Sequence, residues 1–153
     1  MSAQTDFIES IAPAAQASEA QYGVPASVTL AQAILETGWG HSLPKNSNNY
    51  FGIKAVAGQP AVNAQTGEFI NGDLETLTQA FAAYDSPADS FVAHARLLAE
   101  NPRYAPAMAV KDDPLAFCTE LQTCGYSTSP IYAHTLQTLI IQYNLKAYDG
   151  ASQ

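Results

Sequence analysis

The sequence predicts a mainly helical, α+β fold in which a helical body carries one small β-hairpin. Apolar residues recur at helical spacing in two segments, around Leu35 and around Leu136. A Ser or Asp followed by Pro, a common start of a helix, occurs at residues 86–87, 113–114 and 129–130. Asn71-Gly72 is typical of the tight turn between two antiparallel strands.

Length and composition indicate one domain that spans residues 1–153. A chain of 153 residues, 47% of them apolar, can bury about 70% of the surface that its unfolded form exposes. Charged residues make up only 13% of the chain, roughly half the usual share. No repeat or linker-like tract interrupts the sequence.

The charge balance excludes several classes of partner. The 14 acidic side chains outnumber the 6 basic ones, the net charge is −8, and no Lys/Arg cluster is present. Nucleic acids and anionic membrane surfaces are bound through basic residues, so we expect neither partner. No segment approaches the ~20 apolar residues of a membrane span, and no secretory signal follows Met1.

Two helices are expected in the first quarter of the chain. The first covers residues 6–22, with a break or restart at Pro13. The second runs from Pro25 to about Thr37 and is apolar nearly all round, which predicts a buried central position. Each is followed by a glycine that ends it. Residues 38–60 are rich in Gly, Asn, Ser and Pro and are predicted to form a loop.

The predicted hairpin has strands over about residues 64–70 and 73–83. A two-residue turn between them places Glu68 directly opposite Glu75. Like charges opposed across two strands are costly. Violations of local rules of this kind concentrate at functional sites, so Glu68 is a candidate functional residue.

Three further helices are expected in the second half of the chain. They cover residues 86–100, residues 113 to just before 125, and a last segment that starts at 129–130. One apolar face is predicted for the last helix, made of Tyr132, Leu136, Leu139, Ile140 and Tyr143.

Glu36 is the one formally charged residue between Glu19 and Lys45, and it lies at the end of the most apolar helix. Burial and the negative end of the helix dipole both disfavour its carboxylate, so both are expected to raise its pKa. An acid that stays protonated near neutral pH is what a glycosidase needs to protonate a leaving sugar oxygen. The alternative is a partly exposed glutamate at a helix end with no chemical role.

An ordered series of motifs supports the glycosidase interpretation. Residues 31–40 read AQAILETGWG, residues 48–54 read NNYFGIK, residues 68–72 read EFING, and residues 125–133 read GYSTSPIYA. Together with the NPRY and YDS segments between them, these motifs resemble the peptidoglycan glucosaminidases of glycoside hydrolase family 73. This group includes the glucosaminidase domain of flagellar rod-assembly proteins. The resemblance runs in order over about residues 6–145.

The resemblance implies a lysozyme-like fold and an endo-β-N-acetylglucosaminidase type of activity. The implied substrate is the glycan strand of peptidoglycan, cut at β-1,4 bonds between N-acetylglucosamine and N-acetylmuramic acid, with no metal and no cofactor. Glu36 matches the general acid of the family motif. Glu68 matches the hairpin glutamate proposed as a second carboxylate, and Tyr126 matches the tyrosine that lines the cleft.

Aromatic residues are the further candidates for substrate contacts. Tyr50, Phe51 and Tyr132 are candidates for binding the sugars, with a core position as the alternative. Trp39 is expected to be structural. No Cys/His spacing fits a zinc site, so no metal ligand is expected.

Cys118 and Cys124 are candidates for a disulfide, with two free thiols as the alternative. A disulfide needs Cα atoms within about 7 Å of each other. An unbroken helix would separate the two residues by about 9 Å from its rise alone, so a bridge requires the helix to turn between them. A bridge would suit an enzyme that works outside the cytoplasm.

Three chemical routes share Glu36 as the acid and stay open at this point. In an inverting route, Glu68 activates a water molecule. In a substrate-assisted route, the 2-acetamido oxygen of the sugar attacks and Tyr126 orients it. In a lytic route no water attacks, and an anhydro product forms.

The expected place of action is the periplasm or the cell wall. Because no secretory signal is visible, delivery by a secretion machine, by a phage or as part of a larger protein is expected. A bacteriolytic toxin effector, paired with a specific inhibitor (immunity) protein, is the favoured hypothesis, and a phage lysin is an alternative. One alternative belongs to a different class of function, a non-catalytic wall-binding or assembly module. The presence of both Glu36 and Glu68 argues against this alternative.

Overall fold

The computed structural model describes residues 2–150, and for Glu68 and Phe69 it describes the backbone alone. This part of the chain forms helices α1 (Ala3–Tyr22), α2 (Ala26–Thr37), α3 (Pro87–Glu100), α4 (Ala105–Met108), α5 (Pro114–Thr123) and α6 (Tyr132–Gln142), and strands β1 (Ala61–Ile70) and β2 (Asp73–Ala82). Short 3-10 segments follow α3 and α6, at Pro102–Tyr104 and Leu145–Tyr148. The prediction of a mainly helical fold with one small hairpin is confirmed.

Helix α2 lies at the centre of the helical body, where it contacts α1, α5, α6 and the last 3-10 segment. Ten of its 12 residues are buried, as its apolar sequence predicts. The two exceptions, Leu35 and Glu36, lie in its last turn. Gly38 ends the helix in the left-handed conformation, at φ 54°. The most buried helix therefore brings one acidic residue to the protein surface.

The start of α2 is capped by two carboxylates from outside the helix, one from α1 and one from near the end of the described chain. Pro25 supplies no side-chain cap. Instead, Glu19 Oε1 accepts the Ala26 N–H at 3.0 Å, and Asp149 accepts the Ser27 N–H at 2.6 Å and the Ser27 hydroxyl at 2.7 Å. Negative charge is favourable at the positive end of a helix dipole. These contacts fix the position of the helix that carries Glu36.

Helix α1 runs without interruption from Ala3 to Tyr22, so the predicted break at Pro13 is wrong. A proline inside a helix removes one backbone hydrogen bond. Here buried residues lie on both sides of Pro13, at Ile8, Ile11, Ala12, Ala15 and Ser18. Their packing against the body keeps the helix continuous across the proline.

The hairpin is confirmed, and its first strand is longer than the sequence indicates. Strand β1 begins at Ala61, three residues before the predicted start. Asn71 and Gly72 form the turn with φ values of 53° and 85°, the left-handed conformations that a type I′ turn requires. The backbone register pairs Glu68 with Glu75, as predicted. Lys54 forms a β-bridge with Phe81 and thereby joins the base of the hairpin to the preceding loop.

The predicted disulfide is wrong, because Cys118 and Cys124 are both free thiols. Helix α5 continues unbroken from Pro114 to Thr123, so it does not make the turn that a bridge would require. Cys118 is buried inside the helix, and Cys124 forms its C-cap. Burial raises the pKa of the Cys118 thiol to about 12, which keeps it protonated and unreactive.

The remaining helices start close to the expected positions. Ser86 caps α3 by accepting the Asp89 N–H at 3.3 Å. Helix α6 begins at Tyr132, two residues after the Ser129-Pro130 start that the sequence predicts. Its apolar face packs inward as expected, with Leu136 and Ile140 fully buried. Within residues 2–150, no helix combines the length and apolar character needed to cross a bilayer.

Candidate active site

Glu36 lies where two open clefts meet. The larger cleft, of about 380 Å³, lies between the end of α2 and the hairpin, and the smaller one, of about 290 Å³, extends towards Tyr104 and Tyr126. Glu36, Gly52 and Lys54 line both clefts. A groove that is open on both sides of one acidic residue suits a long polymer that passes across it.

The environment of Glu36 favours its protonated form. The residue is exposed at the mouth of the clefts, but the surrounding protein removes much of the water around its carboxyl group. This desolvation raises the pKa of Glu36 above its ordinary value, in the direction that the sequence predicts. The protonated form, which can give up a proton to a bound group, is therefore more available than in an ordinary glutamate.

Gly52 is the backbone neighbour of the Glu36 carboxyl. It has a left-handed conformation with φ 65°, which side chains rarely adopt. A Cβ atom at this position would lie 3.0 Å from Glu36 Oε2, closer than nine in ten real Cβ contacts. Glycine is therefore the residue that allows the loop to pass beside the acid without displacing it.

Asn49 holds this loop in place and is a residue that the sequence prediction missed. Its Oδ1 accepts the N–H groups of Phe51 at 3.2 Å and Ile53 at 3.1 Å. Its Nδ2 donates to the Ile53 carbonyl at 2.8 Å and to the Ala82 carbonyl at 3.0 Å. The side chain thus ties the loop beside Glu36 to strand β2. An Asn before a Gly-containing loop is a signal for such a turn.

Tyr126 lines the smaller cleft together with Glu36. Its ring stacks on that of Tyr132, with centroids 5.6 Å apart and an angle of 20° between the planes. Burial raises the pKa of Tyr126 well above its ordinary value, and the charges of Tyr132 and Glu36 act in the same direction. The phenol therefore keeps its proton and can act as a hydrogen-bond donor in the cleft.

Arg103 holds the loop that presents Tyr126. Its guanidinium donates to the Cys124 carbonyl at 2.7 Å and to the Gly125 carbonyl at 2.9 Å. Gly125 has φ 82°, and a Cβ there would lie 2.6 Å from Arg103 Nη2. The Gly-Tyr motif therefore depends on an arginine about 20 residues away, in the NPRY segment.

The structure separates the three aromatic candidates for substrate binding. Phe51 lines the smaller cleft, although only 3% of it is exposed. Tyr132 is buried in the core, and Tyr50 is half-buried between Phe7 and Phe91, so neither is among the residues that line the two clefts. The core alternative therefore fits Tyr50 and Tyr132 better than direct contact with a sugar.

Trp39 packs as a structural residue, as expected. Its ring lies edge-on to Tyr143, at a centroid distance of 5.0 Å, and to Phe7, at 6.0 Å. These contacts anchor the turn that follows α2 to the first helix and to the end of α6.

The side chain of Glu68 lies outside the described residues, so its position relative to Glu36 stays a prediction. Residues 64–67, which come directly before it in β1, line the larger cleft opposite Glu36. Of the described residues that line either cleft, Glu36 is the one carboxylic acid. In the described part of the chain, no group of three or more His, Cys, Asp or Glu residues is placed to hold a metal ion.

Comparison with known proteins identifies the family. A family model described as mannosyl-glycoprotein endo-beta-N-acetylglucosaminidase (Glucosaminidase) matches residues 12–145. The peptidoglycan hydrolase FlgJ of Vibrio parahaemolyticus is 39% identical over 133 residues, which cover 83% of this chain and 43% of the relative. The exo-glucosaminidase LytG of Bacillus subtilis is 35% identical over 152 residues, which cover 95% and 54%. The chain spans about half the length of these curated relatives.

Solved structures of similar proteins share the fold over nearly the whole chain. A peptidoglycan hydrolase mutant from Sphingomonas sp. A1 is 37% identical, with a TM-score of 0.82 and coverage of 94% of this chain and 96% of the other. The catalytic domain of the autolysin Auto from Listeria monocytogenes is 32% identical, with a TM-score of 0.84 and coverage of 97% and 89%. The chain therefore belongs to the glucosaminidase family of glycoside hydrolases and has the lysozyme-like fold of that family.

Proposed function

We propose that this enzyme hydrolyses the glycan strands of peptidoglycan, at β-1,4 bonds between N-acetylglucosamine and N-acetylmuramic acid. The observation that carries the proposal is Glu36, an acid of raised pKa that is exposed where two clefts meet. The similarity to FlgJ, LytG and Auto, named as a peptidoglycan hydrolase, an exo-glucosaminidase and an autolysin, supports this substrate class.

Glu36 acts as the general acid in this proposal. In its protonated form it donates to the glycosidic oxygen as the bond to the sugar breaks, so that the leaving sugar departs as a neutral alcohol. Desolvation keeps the acid form available closer to neutral pH. Gly52, which has no side chain, leaves room beside the carboxyl in the two clefts that both residues line.

Glu68 is the proposed second carboxylate. The described lining of the two clefts supplies no acid other than Glu36, whereas Glu68 follows Gly67, which lines the larger cleft, directly in strand β1. An inverting reaction needs two carboxyls roughly 6.5–9.5 Å apart, with a water molecule between the second carboxylate and the sugar. In the competing substrate-assisted route, Tyr126 orients the acetamido group and Glu68 is dispensable.

The substitution Glu36→Gln tests the proposal directly. The amide has nearly the same shape but cannot give up a proton, so hydrolysis of purified sacculi should fall by about 10²–10⁴-fold while Tm stays unchanged. Glu9→Gln, at an exposed position of α1, is the matched control and should keep full activity. Retained activity in Glu36→Gln would contradict the proposal, and loss of activity together with loss of Tm would indicate a structural role.

Mass spectrometry of the products identifies the bond that is cut. A glucosaminidase releases fragments that end in a reducing N-acetylglucosamine, which is the expected result. Fragments with a reducing N-acetylmuramic acid would place the cut on the other side of that sugar. Anhydro products would show that the enzyme follows the lytic route.

We place the action of the enzyme in the periplasm or the cell wall, because that is where its substrate lies. Delivery as an interbacterial toxin effector, with an inhibitor protein as its partner, stays a hypothesis. A neighbouring gene whose product binds the enzyme and blocks hydrolysis of sacculi would support it. A neighbouring holin gene would favour a phage lysin instead.

A further inference from the structure

Gln32 is a polar side chain buried in the middle of helix α2, one turn before Glu36. It is fully buried, with 0% of its surface exposed. Its Nε2 donates a hydrogen bond of 2.9 Å to Tyr132 Oη, 100 positions later in the chain. Its Oε1 is buried and has no hydrogen-bond partner among the residues that the structure describes.

Packing alone does not explain a glutamine at this position. All the residues of α2 from 26 to 34 are buried, and most of them are apolar. A buried acceptor without a partner costs about 1–3 kcal/mol, and an apolar side chain of similar length would avoid this cost. The amide at position 32 therefore lowers stability, which is a feature more common at functional sites than in ordinary cores.

The amide of Gln32 reaches two tyrosines that differ in their access to the cleft. Tyr132 is buried, and Tyr126 stacks on it at 5.6 Å and lines the cleft beside Glu36. The Gln32 amide donates to the Tyr132 hydroxyl at 2.9 Å, and it also lowers the pKa of the neighbouring Tyr126 phenol, against the larger effect of burial. The Nε2 group carries two hydrogens, so one remains available to the Tyr126 hydroxyl beside the one donated to Tyr132.

The direction of these hydrogen bonds decides where the hydroxyl protons point. A tyrosine hydroxyl has one proton and can accept and donate at the same time. When it accepts from Gln32, its own proton is turned towards another acceptor. Burial raises the pKa of both phenols, so the two protons stay bound over the working pH range.

We propose that Gln32 is a positioning residue, which holds the two tyrosine hydroxyls as acceptors so that Tyr126 presents its O–H to an oxygen of the sugar bound next to Glu36. The inference rests on the proposed function, because the sugar is its substrate. Gln32 itself does not touch the sugar. It acts through Tyr126, and its hydrogen bond to the Tyr132 hydroxyl holds the amide in place.

The substitution Gln32→Met tests the role of the amide. Methionine has a similar length and no polar atoms that could hold the tyrosines. We expect kcat on sacculi to fall by about 10- to 100-fold, because a small misplacement of an orienting group has effects of this size. KM should stay within about twofold. Tm should change little, because the substitution removes one unpartnered acceptor but also leaves the Tyr132 hydroxyl without its donor.

Thr29→Val is the matched control for Gln32→Met. Thr29 lies in the same helix, is equally buried, and its hydroxyl also has no partner among the described residues. This variant removes a buried polar group without removing a donor from the tyrosines, so kcat should be unchanged. If Thr29→Val lost as much activity as Gln32→Met, the effect would belong to the packing of α2 and the proposal would be wrong.

Tyr132→Phe tests the same hydrogen bond by removing its acceptor instead of its donor. The ring stays, the acceptor hydroxyl is lost, and we expect a similar fall in kcat. Because both substitutions break one hydrogen-bonded unit, the double variant should lose little more than either single one. Additive losses, or a wild-type kcat in Gln32→Met, would overturn the proposal. If Gln32→Met does not fold, Tyr132→Phe with wild-type kcat is sufficient to overturn it.

NMR of the free enzyme separates this inference from the proposed function. The side-chain amide protons of Gln32 should exchange slowly in the wild type and measurably faster in Tyr132→Phe, whether or not sacculi are a substrate. A wild-type enzyme that does not cut sacculi would contradict the proposed function. An active wild type whose Gln32 amide is unprotected would contradict the inference alone.

Discussion

Gly52 lies directly beside the Glu36 carboxyl. An alanine at position 52 would place its Cβ 3.0 Å from Glu36 Oε2 and would force a side-chain-bearing residue to adopt φ 65°. We expect Gly52→Ala to lower kcat by at least about 10-fold, because the acid must move from its position. The measurement is the rate of sacculus hydrolysis together with Tm.

Gly58→Ala separates crowding from backbone strain. Gly58 also has a left-handed conformation, with φ 84°, but a Cβ there would meet nothing within 4 Å. Both variants carry a strain of roughly 1–2 kcal/mol, whereas only the substitution at Gly52 crowds the acid. Equal losses of activity in the two variants would show that strain, and not contact with Glu36, is responsible.

His94 is a fully buried histidine below the smaller cleft. Its ring stacks on Phe51 at a centroid distance of 4.0 Å and meets the edge of Tyr126 at 6.2 Å. Neither ring nitrogen has a hydrogen-bond partner among the described residues. Burial lowers the pKa of His94 to about 3, so the ring is neutral in the folded protein at every working pH.

This histidine makes stability depend on pH. An unfolded chain takes up a proton on His94 below its ordinary pKa of 6.5, whereas the folded protein does so only near pH 3. The free energy of unfolding should therefore be highest above pH 6.5 and fall as the pH is lowered, by at most about 1.4 kcal/mol per pH unit. Urea unfolding curves at pH 7, 5.5 and 4 measure this slope.

His94→Leu should remove most of this slope, and His134→Gln, at an exposed position of α6, should keep it. The comparison is necessary because protonation of carboxylates also lowers stability at acid pH. An unchanged slope in His94→Leu would mean that other groups cause the pH dependence.

At the scale of elements, the hairpin is the part of the site that is attached most loosely. It is joined to the body at its base, through the bridge between Lys54 and Phe81 and the bond from Asn49 to Ala82. An isolated two-stranded hairpin is marginally stable in water. We expect it to close over the glycan and to bring Glu68 towards Glu36 when substrate is bound.

Glu68→Gln tests the chemical role of the hairpin. If Glu68 activates the attacking water, turnover on sacculi should fall by about 10²-fold or more, because the amide cannot accept a proton. Glu75→Gln, at the position directly opposite on β2, is the control and should stay within about twofold of the wild type. A wild-type rate in Glu68→Gln would remove Glu68 from the mechanism and favour the substrate-assisted route.

At the scale of the whole molecule, the end of the described chain stabilises the helix that carries the acid. Asp149 accepts two hydrogen bonds from Ser27, at 2.6 and 2.7 Å, across 122 positions of sequence. Gly150 follows it and donates to Glu19, which also caps α2. The first turn of α2 is thus held both by the nearby end of α1 and by a segment 122 positions later in the chain.

Asp149→Ala should destabilise the protein by about 1–2 kcal/mol, the usual effect of losing a helix cap, and lower Tm by several degrees. Asp112→Ala, at an exposed position before α5, is the control and should leave Tm unchanged. Below Tm, activity should be retained, since Glu36 lies at the opposite end of α2. An unchanged Tm in Asp149→Ala would show that Ser27 finds an equivalent partner.

Local patterns were sufficient for most of the fold. Interactions between near neighbours determine the helix starts at residues 86–87 and 113–114. They also determine the Asn71-Gly72 turn and the strand register that follows from it. Short segments of sequence therefore contain the information that is needed to predict these features. Glu36 was found in the same way, because an isolated charge at the end of an apolar helix is visible without knowledge of the fold. Where a local signal competed with packing, as at Pro13, packing decided.

Contacts between distant segments were decided only by the tertiary structure. The approach of Gly52 to Glu36, the bond from Gln32 to Tyr132 and the cap from Asp149 to Ser27 join residues that no periodicity relates. The same holds for the position of Tyr50 and Tyr132 in the core. The sequence by itself determined which helix carries the acid. How that acid is desolvated, and which groups surround it, depends on the packing of helices and loops whose relative positions are set by the whole core.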